Sequence, residues 1–213
     1  MSVTTTSISF KGVEQDRVVA ALASPASTRN CFVSPAIAGW VTVFDERCEY
    51  ANEPEIIDLA RTVCGRCGCP AVAFAVIQST SLFYWMFDER GGLEDRSFVD
   101  ESRRVPRALR RGLGGEPERL ARLARPGVTG RDVREALERR RIFPEENLDD
   151  LCDLLGIYHF RLLYRHLDEC WDATRNAVVW YDDPAPEFVW QAGEEPVWPD
   201  YVRIRPERPS GAN

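Results

Sequence analysis

The chain is poor in the residues that usually carry chemistry. Its 213 residues include one lysine, Lys11, and two histidines, His159 and His166. No G-x-S-x-G, H-E-x-x-H or Walker loop occurs, so the common hydrolase, zinc-protease and nucleotide-binding signatures are excluded. No apolar run approaches the roughly eighteen residues a membrane helix needs. The opening Met1-Ser-Val-Thr-Thr-Thr lacks the basic-then-apolar pattern of a signal peptide, so a cytoplasmic location is expected. Seven cysteines are an odd number, which argues against a disulfide framework.

What is present points to a folded protein. Hydrophobic residues make up 44% of the chain and aromatics 10%, enough for one good core or two small ones. Charge is strongly segregated. Residues 103–141 hold thirteen arginines against five acids, Glu116, Glu118, Asp132, Glu135 and Glu138, a local balance of +8. Residues 1–102 carry −6 and residues 142–213 carry −9, giving −7 overall and a pI near 5.0. Such a block must be neutralised by the acidic flanks of its own chain, by an acidic partner, or by salt.

Periodicity predicts an α+β fold. Residues 1–102 read as a β-α-β-α-β-β-β sheet domain. Strands are expected at 4–10, 39–44, 70–77, 82–87 and 93–99, and a short extended piece at 31–33. Helices are expected at 13–23 and from Pro54 to near Gly65. The run 70–77 is nearly all apolar, as in a central strand covered on both faces. Residues 103–117 form a basic connector rich in glycine and proline, the best candidate boundary. A small helical domain follows over 118–170, with helices at 118–124, 130–139, 144–155 and 160–170. The tail, 171–213, is rich in Trp and Pro. It is expected to carry a strand near 177–181 and to pack back on the protein.

Four patterns could carry chemistry. In Cys64-Gly-Arg-Cys67-Gly-Cys69 the C-x-x-C spacing lets two thiolates reach one zinc ion, and Cys69 adds a third. Cys48 or Cys31 would have to complete the set. The same spacing suits a redox dithiol, while ordinary packing of small buried thiols is the simpler reading. His159, His166 and Cys170 form a loose ladder on one helix face, with Asp168 beside it. Adjacent acids such as Asp149–Asp150, Asp182–Asp183 and Glu194–Glu195 do not share a helix face, so they are read as solvated. Arg103, Arg104, Arg107, Arg110 and Arg111 could contact phosphates. The acidic pI disfavours nucleic acid as a partner.

The stretches Gly39-Trp-Val-Thr-Val-Phe-Asp-Glu and Gly68-Cys-Pro-Ala-Val-Ala-Phe, with residues 82–95 and Leu154-Leu-Gly-Ile157, resemble a group of uncharacterised small bacterial α+β proteins. The resemblance covers the N-terminal half and part of the helical region and implies a fold without naming a chemistry. In that pattern the helix runs straight into the strand, so Cys64-Gly-Arg-Cys67 is a local departure. The function expected from all this is a non-enzymatic protein-binding module. An immunity- or inhibitor-type protein for a basic bacterial toxin fits, with Trp180, Trp190 and Trp198 and the five connector arginines as partner-binding residues. No cofactor is expected. The alternatives are a zinc or thiol-redox protein using Cys64, Cys67, Cys69 and Cys48, and a nucleic-acid-binding regulator using the arginine block.

Overall fold

The computed structural model describes residues 4–23, 29–100, 115–158, 167–168, 171–172, 177–178 and 201–205. The first half runs β1 (Thr5–Lys11), α1 (Gln15–Leu22), β2 (Cys31–Val33), β3 (Trp40–Asp45), a kinked 3-10 stretch (Glu46–Ala51), α2 (Glu53–Cys67), β4 (Ala71–Ile77), β5 (Ser81–Phe87) and β6 (Leu93–Asp100). Helices α3 (Pro117–Ala121), α4 (Gly130–Glu138) and α5 (Pro144–Leu155) follow. A two-residue pair, β7 (Trp171–Asp172) with β8 (Ala177–Val178), and then β9 (Val202–Ile204) close the chain. No helix among the described residues is long and apolar enough to cross a membrane.

The main sheet has the order β6-β5-β4-β1-β3-β2-β9, with every pairing antiparallel. Its inner part, β1-α1-β2-β3-α2-β4 in the order β4-β1-β3-β2, is the split βαβ arrangement. The hairpin β5-β6 extends one edge in the expected meander. The short extended piece at 31–33 is a full member of the sheet, β2, paired on both sides. β9 covers the other side of β2, so the tail does return to the sheet at 202–204, with Tyr201 buried near Phe44. The expected helix over 160–170 lies outside the described residues except for residues 167–168.

β4 shows why the sheet needs covers on both sides. Ala71, Ala73 and Ala75 face the core built with α1 and α2, where small side chains let α2 come close. Val72, Phe74 and Val76 alternate to the opposite face and pack under Leu120, Val133, Leu148 and Leu151 of α3–α5. The helical region therefore shares a core with the sheet.

Polar clasps fix that second layer. Lys11 Nζ donates to the carbonyls of Leu123 at 2.6 Å and Ala124 at 3.4 Å, and lies 5.5 Å from the centre of the Trp40 ring. These carbonyls belong to turns closed by i→i+3 bonds, Leu123 to Leu120 and Ala124 to Ala121. The α-helix expected over 118–124 thus stops at Ala121 and tightens before Pro126. Trp40 Nε1 donates to Leu155 O at 2.9 Å in a buried bond. At the entry to α3, Tyr84 Oη and the Glu116 N–H share Asp95 Oδ2 at 2.7 and 2.8 Å. A Cβ on Gly115 would stand 1.8 Å from Tyr84 Oη, so this approach requires glycine. Trp40→Phe keeps most of the ring but leaves the Leu155 carbonyl without its donor. Urea denaturation is expected to show a loss of about 1–3 kcal/mol, with the fold retained.

Candidate functional site

The three cysteines of the 64–69 motif lie at the end of α2 and just beyond it. Cys64 lies on the last turn of α2 and Cys67 is its final residue. Gly68 then takes the left-handed conformation (φ 65°) and its N–H bonds to Cys64 O at 2.7 Å. That turn folds the chain back and leaves Cys69 buried just past the end of α2. Cys67 Sγ also donates to Arg17 O at 3.6 Å, while the Arg17 guanidinium donates to Cys67 O at 3.1 Å. The three thiols are not equivalent. The hydrogen bond to Cys69, then burial, pushes Cys64 up, and burial pushes Cys67 up. Cys69 is held below its ordinary value by the hydrogen bond from Cys64, with the Arg17 charge adding to this.

Cys48 and Cys31 do not join them. Both are buried beside Asp45 and Arg29, and burial pushes both thiols up. No group of three His, Cys, Asp or Glu side chains among the described residues is arranged to hold a metal ion. Arg29 is the centre of a buried ion cluster, 3.2 Å from Asp45, 3.1 Å from Glu55 and 2.6 Å from Asp58. Asp45 is the end of β3 and is fully enclosed, so the cluster ties the 3-10 stretch and α2 to the sheet.

The described part of the arginine block is largely paired, mostly with acids of its own helices. Arg119 meets Glu116, Arg131 meets Glu135 and Arg134 meets Glu118, each at 2.8 Å. Arg139 and Arg141 share Asp150 at 2.9 Å. Arg125 donates to Tyr158 Oη and lies over its ring. Arg103, Arg104, Arg107, Arg110 and Arg111 lie outside the described residues, as do Trp180, Trp190, Trp198, His159, His166 and Cys170. Asp168 pairs with Arg203, which ties it to β9.

A cleft of about 270 Å³ runs between α4 and α5. Four carboxylates line it, Asp132, Glu135, Asp150 and Asp153, against one guanidinium, Arg139. Buried Asn147 holds the two helices in place, its Nδ2 donating to Ala136 O and Arg139 O at 2.8 Å each. Asp132 completes a capping box with Thr129, which fixes the start of α4. The loop joining the helices presents Ile142 at 80% exposure and Phe143 at 52%. Sequence reasoning passed over this pair. Its signal was an Ile-Phe step directly after three arginines, out of phase with both helices.

Comparison with known protein families, with characterised proteins and with solved structures finds no match.

The buried ion cluster gives a pH-dependent prediction. Burial already raises the Asp45 carboxyl above its usual range, against the pull of Arg29. Removing Arg29 leaves that carboxylate with only its remaining hydrogen bonds. Arg29→Met is expected to cost about 3–5 kcal/mol near neutral pH. An acid whose folded pKa exceeds its unfolded one binds its proton more tightly in the native state, so the deficit should shrink as pH falls through that window. Urea titrations of both proteins at neutral and mildly acidic pH measure it.

Proposed function

We propose that the chain is a non-enzymatic module that binds another, basic, protein, and that it docks through the α4–α5 face. The observation that carries this reading is the loop between α4 and α5, whose adjacent side chains Ile142 and Phe143 are exposed, on a helix pair whose cleft also presents the exposed Asp153. Exposed apolar anchors beside complementary charge are the composition expected of a binding hot spot with a steering rim. The net charge of −7 favours fast encounter with a basic target. The internal pairing of Arg119, Arg131, Arg134, Arg139 and Arg141 leaves that part of the block little free charge for phosphates. An immunity- or inhibitor-type role, in which an acidic protein occupies a basic toxin, is the biological form that suits this chemistry.

The test compares the full chain with an Ile142→Asp/Phe143→Asp double variant. Each is immobilised and exposed to lysate of the host with and without nuclease treatment, and any protein retained in stoichiometric amount is identified, produced alone and titrated calorimetrically. The expected result is a basic protein bound one-to-one, with affinity reduced at least about tenfold in the double variant and association slowed by salt. Equal affinity for both chains, or no stoichiometric basic partner, overturns the reading. Retention that disappears with nuclease treatment points to nucleic acid instead.

A further inference from the structure

The loop between α4 and α5 places three consecutive arginines, Arg139, Arg140 and Arg141, directly ahead of its exposed Ile142–Phe143 step. We propose that this loop is a cleavage site for an endoprotease that selects arginine, with Arg140–Arg141 the bond that is cut. The proposal stands apart from the docking reading, because it concerns the chain's own backbone and needs no bound partner.

The backbone is the first support. Arg139 (φ −62°, ψ 123°) and Phe143 (φ −124°, ψ 133°) are already extended. The N–H groups of Arg140, Arg141 and Ile142 donate no backbone hydrogen bond among the described residues. A peptide held as an added strand supplies its own N–H and C=O groups to the protein that binds it. A segment with these groups free and no helix to unwind meets that demand at least cost, which is why loop tips are preferred sites of nicking. Elsewhere among the described residues the exposed arginines lie in helices, strands or hydrogen-bonded turns, or precede proline as Arg125 and Arg205 do.

The side chains choose the bond. Arg139 and Arg141 are both held on Asp150 at 2.9 Å. Arg140 stands between them, exposed and with no ion pair or hydrogen bond among the described residues. It is the guanidinium ready to enter a specificity pocket that carries a carboxylate. Hydrolysis breaks the C–N bond and adds one water, leaving a carboxylate on Arg140 and an α-ammonium on Arg141. Neither half is released by the cut. Leu148 and Leu151 stay in the core shared with the sheet, Asn147 Nδ2 still reaches Ala136 O and Arg139 O, and Trp40 still holds Leu155 O. The cut thus turns a helix corner into two chain ends beside Ile142 and Phe143 within an otherwise intact fold.

The experiment treats native full-length protein with a trace of trypsin and follows the initial rate of cutting at each described arginine by mass. The Arg140–Arg141 bond is expected to be cut at least about tenfold faster than bonds within helices or strands, which must open first. It should exceed the bonds after Arg139 and Arg141 by about threefold, the size of effect an exposed ion pair allows. Asp150→Asn frees both neighbours and should bring the three rates together, while Arg140→Gln should slow cutting of the loop by at least about threefold. Fragments 1–140 and 141–213 should elute together from a sizing column and part only in urea. The wild-type rates need no variant to fold. A loop bond cut no faster than arginines in helices, equal rates after all three arginines in the wild type, or fragments that part without denaturant overturns the proposal.

Discussion

The structure depends on β4, a strand buried on both faces. Its alanines meet α1 and α2, and its valines and phenylalanine meet α3–α5. Neither face can be left to water, because each presents several fully enclosed apolar side chains, and exposing them would cost a large part of a domain's net stability. The chain must therefore supply two helical layers, one from the crossovers of the split βαβ unit and one from the region after β6. The second layer has no strand crossover to hold it. Its position rests on packing together with Lys11, Trp40 and Asp95, which reach from the sheet to the backbone of the helical region. The single lysine of the sequence is thus used as a short polar strut and not as a surface charge.

The same layering governs the charges. A helix laid on a sheet exposes its outer face, and in α3–α5 that face carries both arginine and acid at spacings that let them meet. Pairing at i,i+3 and i,i+4, and between neighbouring helices, satisfies much of the described block before any more distant acid is needed. Exposed pairs of this kind contribute little to stability. Their effect is on recognition, because they lower the free positive charge on a face where Asp153 and the Ile142–Phe143 step remain open to solvent. The Arg29–Asp45 pair is the opposite case, with both charges enclosed for architecture.

Local pattern made most elements readable. The apolar run at 70–77 announced a two-faced strand and Pro54 the start of α2. What the sequence could not order was the sheet. β2 has only three residues, too few for a period, and its place between β3 and β9 follows from pairings separated by about ten and by more than a hundred and fifty residues. That the tail packs back was foreseen, but neither the strand at 202–204 nor its partner β2 was. The arginine block was visible as a charge excess, its neutralisation was sought in the acidic flanks, and Asp150 of the C-terminal flank does take Arg139 and Arg141. Much of it occurs inside the helices, because spacing on a helix surface decides contact before net charge does. The docking loop was missed because two exposed apolar residues carry no periodic signal.

Cysteine spacing alone left packing, metal and redox readings open, and only backbone geometry separates the cysteines from one another. Among the described residues, Cys152 packs in the core shared by sheet and helices, and Cys31 and Cys48 pack by the ion cluster, each a small buried hydrophobe. Cys64, Cys67 and Cys69 differ because a helix ends between them. A continuous helix would put residue 69 on a different face from residue 64, some 140° around the axis. The left-handed residue at Gly68 ends the helix before that rotation is completed. A substitution there that forced φ negative would keep all three cysteines and their spacing, yet change how the chain leaves α2. The sheet also lies between these cysteines and the α4–α5 face, so influence of one on the other would have to pass through β4 and its two-sided packing.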